Sequence, residues 1–341
     1  TKKFCEKEIE PYTEALDKEE MLPYDIIRRY LKEIRGADAI QTVEDAEKAI
    51  MEEDFITHQL MAIELAKASP GVALSVGASL SLAGYAIMYA GNRDQKEEYG
   101  IPIVRGDKIG CWGLTEPEAG SDVTSMKSTA RKEGDYYILN GSKMFITNAP
   151  YADILVVYVK TDLNCPPHKG ISAFILEKGM EGVSTSKPLD KMGMRASPTG
   201  EIHMEDLRIH KSQLLGREKR GFYDALNNLN YERSGAPSLA IGIAERCLEE
   251  AIRYSKQRVQ FGQPIANFQA VQFKLARMYT ALAHCYAMLF MLGEMQSQGL
   301  SITAVASAAK LYSSEIATQC ALEAIQIMGG YGYMREYKVE R

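Results

Sequence analysis

The sequence predicts an α+β protein in which a helical, a β and a second helical region follow one another along the chain. Two observations predict this class. Apolar residues recur at helical spacing in both terminal regions, whereas the middle has short β-branched and aromatic runs broken by Gly, Asn, Asp and Pro. We therefore expect an N-terminal helical domain over 1–110, a central antiparallel β domain over 111–216 and a C-terminal helical bundle over 217–341.

Length and composition are those of an ordinary globular protein. The chain has 341 residues, 46% hydrophobic and 25% charged, and at roughly 100–200 residues per domain this predicts more than one packed unit. Its 40 Lys and Arg against 45 Asp and Glu give a net charge of −5, which argues against a nucleic-acid-binding surface. The scattered cysteines and histidines form no zinc-binding pattern, so we expect reduced thiols, a cytoplasmic protein and no metal site.

The N-terminal region is predicted to be helical from its apolar spacing, as at Ile50, Phe55, Leu60, Ile63 and Leu65. One segment, between Lys67 and Arg93, carries no charge and is long enough to span a bilayer. Its many Ser and Gly residues and the lack of a sustained Leu/Ile/Val run favour a helix buried in a soluble core. We therefore expect no membrane span.

The middle region is predicted to form a small antiparallel sheet. Its strand-like runs are residues 135–140, 152–160, 170–176 and 200–204. The pair Asn140 and Gly141 lies between two such runs, which predicts a hairpin turn at this point.

The C-terminal region is predicted to form long helices over about 223–257, 267–298 and 302–327, with Gly262 and Gly299 marking the breaks. Long helices with short connections indicate an antiparallel bundle.

The most unusual stretch opens the β region at residues 111–122, Cys-Trp-Gly-Leu-Thr-Glu-Pro-Glu-Ala-Gly-Ser-Asp. It combines backbone donors, hydroxyls and the chain's only Trp, and its Gly and Ser residues let a backbone come close to a ligand. A site for a planar or phosphorylated cofactor and a simple turn explain it equally well.

Three further stretches have both a functional and a structural interpretation. Phe145 and Thr147 lie two residues apart and so share a strand face, which suits a ligand or simple packing. Residues 326–333 end a helix in glycines that could approach a diphosphate, although a glycine cap is the simpler interpretation. Arg258 could bind a phosphate or offset the carbonyl end of its helix.

A fifth stretch contains a carboxylate on the first bundle helix. Glu232 lies near the edge of an apolar stripe formed by Leu226, Leu229 and Ala236. It is either a partly buried, perturbed carboxylate or an ordinary ion-pair partner of Arg233.

Together and in this order, these stretches closely resemble the FAD-dependent acyl-CoA dehydrogenase family. The family signature Thr-Glu-Pro-x-Ala-Gly-Ser-Asp is matched at residues 115–122. The resemblance continues through residues 139–143, 145–148, 191–195, 257–261 and 326–330. It implies an acyl-CoA dehydrogenase-like fold with a C-terminal four-helix bundle, assembled as a homotetramer with FAD between the β domain and the bundle and partly held by a second subunit.

The resemblance also implies roles for single residues. On the β-domain side, the residues implied to bind FAD are Trp112, Leu114, Thr115, Gly120, Ser121, Phe145, Ile146 and Thr147. Those implied to hold its diphosphate and adenine side are Arg258, Gln260, Phe261, Gln269, Gln326, Ile327, Gly329 and Gly330. Those implied to contact the substrate are Ser121, Asn230, Tyr231 and Arg233.

The catalytic base has two possible positions. Most members of the family carry it in a Tyr-Glu-Gly-Thr-type segment after the last bundle helix, which would fall beyond Arg341. Isovaleryl- and long-chain-type members carry it on the first bundle helix, at the position matched by Glu232. The resemblance therefore implies Glu232 as the base, with a Glu beyond Arg341 as the alternative.

The implied activity is the formation of an α,β double bond in an acyl-CoA thioester, with electrons passed to an electron-transfer flavoprotein. An acyl-CoA oxidase and a non-catalytic flavin- or CoA-binding member are the alternatives. The implied location is the cytoplasm, or the mitochondrial matrix in a eukaryote.

Overall fold

Helices occupy the chain up to Arg105 in this computed structural model, which describes residues 1–51 and 54–341. The α-helices are Lys2–Glu8 (α1), Thr13–Asp17 (α2), Tyr24–Glu33 (α3), Val43–Met51 (α4), Phe55–Ala68 (α5), Pro70–Gly77 (α6), Tyr85–Ala90 (α7), Arg93–Gln95 (α8) and Ile101–Arg105 (α9). The π-helical segments Ala78–Gly84 and Lys96–Gly100 join α6 to α7 and α8 to α9. Asp54 caps α5, because its carboxylate accepts a hydrogen bond of 2.8 Å from the backbone N–H of Thr57.

Within the described ranges, two helical stretches are long and apolar enough to cross a membrane, Pro70–Ala90 and Gln269–Ser297. In the first, 67% of the most apolar window is buried inside the protein. Such burial is typical of a core helix, and it supports the interpretation of this uncharged segment made from its sequence. In the second stretch only 28% of the window is buried, so this helix has an exposed apolar face.

The middle of the chain forms one sheet of the strands Gly110–Gly113 (β1), Thr129–Glu133 (β2), Tyr136–Thr147 (β3), Ile154–Lys160 (β4), Ile171–Glu177 (β5), Val183–Thr185 (β6), Thr199–His210 (β7) and Leu214–Leu215 (β8). Its order is β6-β7-β3-β2-β4-β5-β8, with β1 paired to β4. The predicted fold class is confirmed, although the sheet is mixed, since both β1 and the start of β2 run parallel to β4. β4 is buried along almost its whole length, and a continuous apolar run is typical of such a strand.

The predicted hairpin at Asn140 and Gly141 was wrong. Both residues lie inside β3, at a β-bulge where the register to β7 shifts. Gly141 has φ 141°, and a Cβ there would collide with Ser128, so the glycine serves a close approach within the sheet. The hairpin turn is instead formed by Gly134 and Asp135, because Glu133 pairs with Tyr136 across them.

The C-terminal region consists of the long helices Gly221–Gln257 (α10), Gln269–Ser297 (α11) and Thr303–Met328 (α12), with the short strands Val259–Gln260 (β9) and Gln263–Pro264 (β10) between the first two. The predicted helix ends agree with these bounds to within two residues. The helices share a core that includes Ile241, Leu289 and Ile316.

The apolar stripe noted on α10 is not a buried face of that helix. The residues of the predicted apolar stripe are exposed or half-buried: Leu226, Leu229 and Ala236. Polar side chains occupy buried positions instead, because hydrogen bonds satisfy them. Asn228 donates to the carbonyl of Leu82 at 2.9 Å, and Ser238 donates to the Gln59 side chain at 2.6 Å.

The chain divides into two compact units, each made of separate segments. The bundle unit consists of Thr1–Thr13, Asp54–Ala73 and Glu232–Arg341. The sheet unit consists of the described residues of Glu14–Glu53 and of Leu74–Tyr231. The three domain boundaries expected from the sequence stay a prediction.

Candidate functional site

Trp112 lies on β1 with its indole directed at the neighbouring strand. Its Nε1–H donates to the hydroxyl of Tyr158 at 3.0 Å, and the two rings meet edge to face with centroids 5.2 Å apart. The indole N–H is therefore already used, and Trp112 offers a half-buried aromatic surface to a ligand.

Thr115 and Thr147 carry half-buried hydroxyls on segments joined by a backbone hydrogen bond. The N–H of Met144, on β3, donates to the carbonyl of Thr115 at 2.9 Å. Neither threonine hydroxyl has a hydrogen-bond partner among residues 1–51 and 54–341. Two free hydroxyls of this kind suit the polar edge of a ligand.

Phe145 lies between these threonines in sequence, in a conformation unusual for its residue type. Its φ is 61°, its side chain is 62% exposed, and the β3–β7 register shifts between Lys143 and Ile146. A bulky residue in the left-handed region is a strained arrangement, of the type that clusters at functional sites. An exposed aromatic ring held in this way suits stacking against a planar ligand.

A buried ion pair includes Lys143, two residues before Phe145. Lys143 and Glu116 are 0% and 4% exposed, and Nζ of Lys143 is 2.7 Å from Oε1 of Glu116. Burial lowers the pKa of Lys143 to about 8, against the opposing effect of the Glu116 carboxylate. Burial alone would raise the pKa of Glu116, but the Lys143 ammonium and the N–H groups of Ser128 and Lys127 hold it below its ordinary value.

Asn148 connects the end of β3 to four other segments of the sheet unit. It is fully buried with φ 68°, and its amide donates to the carbonyls of Ser75 at 3.0 Å and Gly110 at 3.2 Å. Its Oδ1 accepts from the hydroxyl of Tyr24 at 3.3 Å, and its N–H donates to the carbonyl of Pro198 at 2.7 Å. Every polar atom of this side chain is satisfied, so the backbone beside Thr147 is fixed.

The other predicted residues of the sheet unit differ in exposure. The Leu114 and Ile146 side chains are buried, so a ligand would meet only their backbones. Gly120 and Ser121 are exposed, as is Asn230 near the sheet-unit end of α10. These three are accessible to a ligand.

Tyr231 is held by an aromatic partner and a hydrogen bond. Its ring stacks on Tyr85 with centroids 4.2 Å apart and planes inclined by 12°. Its hydroxyl donates to the carbonyl of Ile50 at 3.2 Å. These contacts place Tyr231 in the packing of the sheet unit, where its side chain is half-buried.

Glu232 is the candidate base and belongs to the bundle unit. Its half-buried carboxyl has no hydrogen-bond or ion-pair partner in the part of the chain that the structure describes. Burial raises its pKa, although Arg233 and Lys310 act to lower it. A carboxylate with a raised pKa and no partner is suited to taking up a proton.

Arg258 and Phe261 lie at the exit of α10. Arg258 follows the last residue of the helix, and its guanidinium lies 6.0 Å from the ring centre of Tyr331. Phe261 is 93% exposed, has φ 52° and forms the turn between β9 and β10. Gln260 is also exposed, and its amide donates to the carbonyl of Val259 at 2.7 Å.

The remaining candidates lie at two helix ends. Gln269 is exposed at the first residue of α11. Gln326 is exposed in the last turn of α12, and Gly329 ends that helix with φ 60°. The exposed backbone from Gly329 to Gly330 is open to a ligand, whereas the Ile327 side chain is buried in the bundle core.

Each unit, taken by itself, has features that fit a part of FAD. In the sheet unit, an exposed aromatic ring on a strained backbone and two free hydroxyls suit a planar heteroaromatic group with a polar edge. In the bundle unit, an arginine and an open glycine backbone suit a diphosphate. Among the described residues no group of three or more His, Cys, Asp or Glu could hold a metal ion.

Sequence reasoning missed the partners that hold these residues. Lys143 and Asn148 entered only as members of motifs, with no role of their own. For Lys143 the signal is strand alternation. It lies four residues after Leu139 and two after Gly141, and so on the inward face of β3. Its partner Glu116, 27 residues away, follows only from the tertiary structure.

Family descriptions match almost the whole chain. The N-terminal, middle and C-terminal domains of acyl-CoA dehydrogenases match residues 1–107, 111–207 and 219–341. A 3-(aryl)acrylate reductase of Clostridium sporogenes is 41% identical over 348 residues, covering 99% of this chain and 88% of that protein. A subunit of the caffeyl-CoA reductase-Etf complex of Acetobacterium woodii is 42% identical over 288 residues, covering 84% and 76%.

A solved structure gives the same result for the fold. The butyryl-CoA dehydrogenase of Megasphaera elsdenii has a TM-score of 0.92 and 38% sequence identity, covering 99% of this chain and 88% of that one.

Proposed function

The chain belongs to the acyl-CoA dehydrogenase family of flavoprotein oxidoreductases, and we propose that it oxidises an acyl-CoA thioester to the 2-enoyl-CoA with FAD as cofactor. The observation that carries the proposal is Glu232, a half-buried carboxylate with a raised pKa and no side-chain partner in the described part of the chain. In this reaction the carboxylate takes the α-proton, and two electrons leave Cβ as a hydride.

The chemistry sets two requirements for the site. The α-proton of a thioester is too weakly acidic for a carboxylate in water, so the base must be desolvated and the developing enolate charge stabilised. Glu232 meets the first requirement, since burial raises its pKa. The alternative base is a Glu beyond Arg341.

FAD, when bound, supplies the hydride acceptor. We assign the hydroxyls of Thr115 and Thr147 to the polar edge of its ring and Phe145 to one ring face, with Trp112 beside them. Arg258 and the backbone from Gly329 to Gly330 are assigned to the diphosphate. For the CoA part of the substrate we assign Ser121, Asn230, Tyr231 and Arg233.

A homotetramer is part of the proposal. The large apolar residues exposed on α11 and α12 are Phe273, Tyr279, Phe290, Met291, Leu311 and Leu322. Exposed apolar surfaces of this size are typical of protein interfaces. A second subunit seated there would complete the cofactor contacts of Arg258 and Phe261.

The proposed electron acceptor is an electron-transfer flavoprotein, because a relative is named as a subunit of an Etf complex. The six cysteines, all within the described ranges, form no disulfide, which suits a cytoplasmic or mitochondrial matrix protein.

A second candidate is the same chemistry in reverse, the reduction of a 2-enoyl or aryl-acryloyl thioester. Two relatives at 41% and 42% identity are named as reductases of aryl-substituted substrates. The residues of the site serve both directions, because Glu232 then donates the proton that it takes up in the oxidation.

The deciding experiment is an anaerobic titration of the purified protein with straight, branched and aryl acyl-CoA esters, followed by the visible absorbance of the flavin. Bleaching by one ester would support the dehydrogenase and identify its substrate class. Reoxidation of the photoreduced protein by an aryl-acryloyl-CoA, without bleaching by saturated esters, would favour the reductase.

Two further measurements on the same protein separate the remaining alternatives. Peroxide formation in air at the rate of substrate turnover would indicate an oxidase. A yellow protein that no ester bleaches or reoxidises would contradict both candidate activities, and a colourless one would contradict the FAD assignment.

A further inference from the structure

The buried pair of Lys143 and Glu116 joins three segments of the sheet unit. Nζ of Lys143 on β3 lies 2.7 Å from Oε1 of Glu116 in the loop after β1, and it also donates to the carbonyl of Leu114 at 3.4 Å. The same carboxylate accepts from the backbone N–H groups of Lys127 at 2.5 Å and Ser128 at 3.1 Å, just before β2. The Glu116 carboxylate therefore joins the loop after β1 to β3 and to the residues just before β2.

This pair fixes the segment that contains Thr115. The loop after β1 makes a tight turn, in which Glu116 and Ala119 exchange backbone hydrogen bonds of 3.1 and 3.2 Å. A second connection joins the loop to β3, where the N–H of Met144 donates to the carbonyl of Thr115. The stem of Lys143 packs against Gly113, since a Cβ on that glycine would lie 3.3 Å from Cγ of the lysine.

Stability alone gives little reason to place a charge pair here. A buried ion pair costs so much desolvation that an apolar pair of similar volume is often as stable. An apolar pair, however, gives no hydrogen bonds and no directional preference. The lowered pKa of Lys143 reflects this cost of burial.

We infer that Lys143 and Glu116 are positioning residues for the flavin site, which hold the Thr115 hydroxyl and the Phe145 ring in the arrangement that receives the isoalloxazine. The inference rests on the proposed FAD site. Thr115 precedes Glu116 directly, and Phe145 follows Lys143 by two residues at the β-bulge. Loss of either charge leaves the other buried without its partner and releases both segments.

The test uses Lys143→Met and Glu116→Gln, with two readouts. The first is the FAD dissociation constant of the apoprotein, together with the visible circular dichroism of the bound flavin. The second needs no cofactor, because Trp112 is the only tryptophan and lies one residue before Gly113. Its quenching by acrylamide in the apoprotein reports how well the loop after β1 is held.

We expect each variant to raise the FAD dissociation constant about tenfold or more, the effect of one unpaired buried group. Flavin circular dichroism should weaken and Trp112 quenching should increase. Glu116→Gln keeps the side-chain shape and one backbone acceptor, so it provides the test if Lys143→Met fails to fold.

A matched control separates positioning from general loss of stability. Leu207→Ala removes a fully buried side chain of the same sheet, opposite Leu139, without touching the loop. It should destabilise the fold while FAD affinity and Trp112 quenching stay as in the wild type. Equal changes in Leu207→Ala would show that the pair is merely structural.

Two other results are decisive. Both pair variants binding FAD within about twofold of the wild type, with unchanged Trp112 quenching, would overturn the inference. A wild type that binds no FAD would instead overturn the proposed function, and the Trp112 readout in the apoprotein would still show whether the pair holds the loop.

Discussion

The candidate residues of the two units are held in opposite ways. In the sheet unit, buried polar groups fix the segments on which they lie, through the Lys143–Glu116 pair and the Asn148 hydrogen bonds. In the bundle unit, Phe261 is almost fully exposed and Gln326 lies on the outer side of its helix. The difference teaches that the candidates of the sheet unit are preorganised by buried polar groups of their own unit, whereas those of the bundle unit lie on open surface.

The largest effect is expected at Glu232, which differs from both groups because it lies half-buried without a partner among the described residues. Glu232→Gln should keep the bound flavin and slow its reduction by substrate about 10²-fold or more, since a general base is lost. Stopped-flow absorbance under anaerobic conditions measures this rate. Glu249→Gln is the control, because Glu249 lies on the same helix but pairs with Lys67 at 2.8 Å. A wild-type rate in Glu232→Gln would place the base elsewhere.

The next largest effect is expected in the sheet unit, where Asn148 fixes the end of β3. Asn148→Ala removes three side-chain hydrogen bonds and places alanine at φ 68°, so the free energy of unfolding should fall by about 3 kcal/mol. Asn148→Gly loses the same bonds without backbone strain, and its loss should be smaller by about 1 kcal/mol. Urea unfolding followed by circular dichroism measures both. A loss of unfolding free energy below about 1 kcal/mol in both variants would show that the hydrogen bonds of this side chain contribute little to stability.

A smaller effect is expected at the exposed half. Phe261→Ala should leave the free energy of unfolding within about 0.5 kcal/mol of the wild type, because an exposed side chain contributes little to the stability of a single chain. It should nevertheless weaken FAD binding and subunit association severalfold, as measured by flavin retention and light scattering over a dilution series. Unchanged association and flavin content would show that this half of the site does not depend on Phe261.

The smallest effect concerns pH. The pKa of Glu232 is raised by burial, and the reaction needs its ionised form, so kcat/KM should fall as pH decreases through that raised pKa. Stability should change in the opposite direction. The unfolded state ionises at the ordinary, lower pKa, so Glu232 lowers the free energy of unfolding as pH rises through this window. Rate profiles and urea unfolding, measured from below the ordinary glutamate pKa of 4.5 upward, test both signs, and Glu232→Gln should remove the stability change.

Much of the fold was predictable from local signals. The three long helices of the C-terminal region follow from apolar period and glycine breaks, and their predicted ends agree to within two residues. The hairpin was misplaced because Asn140 and Gly141 resemble a turn, whereas their role is a bulge against Ser128. A local pattern alone gives no information on the segment that packs against it.

The buried face of α10 shows the same limit from the other side. Leu226 and Leu229 of the apolar stripe are exposed and half-buried, whereas Asn228 and Ser238 are buried. Hydrogen bonds to Leu82 and Gln59 make these polar positions tolerable, and those partners lie far away in sequence. Hydrophobicity alone therefore does not identify the buried positions in this part of α10.

The sequence by itself determined the order of the elements, the family and the residue types that the site offers, because periodicity and motifs are properties of neighbouring residues. Only the tertiary structure decided which polar groups are buried together. Glu116 meets Lys143 across 27 residues and Tyr24 meets Asn148 across 124, so both contacts depend on how distant segments pack. The strain at Phe145 and the isolation of Glu232 were decided at the same level, since exposure and pKa are set by the whole surrounding fold.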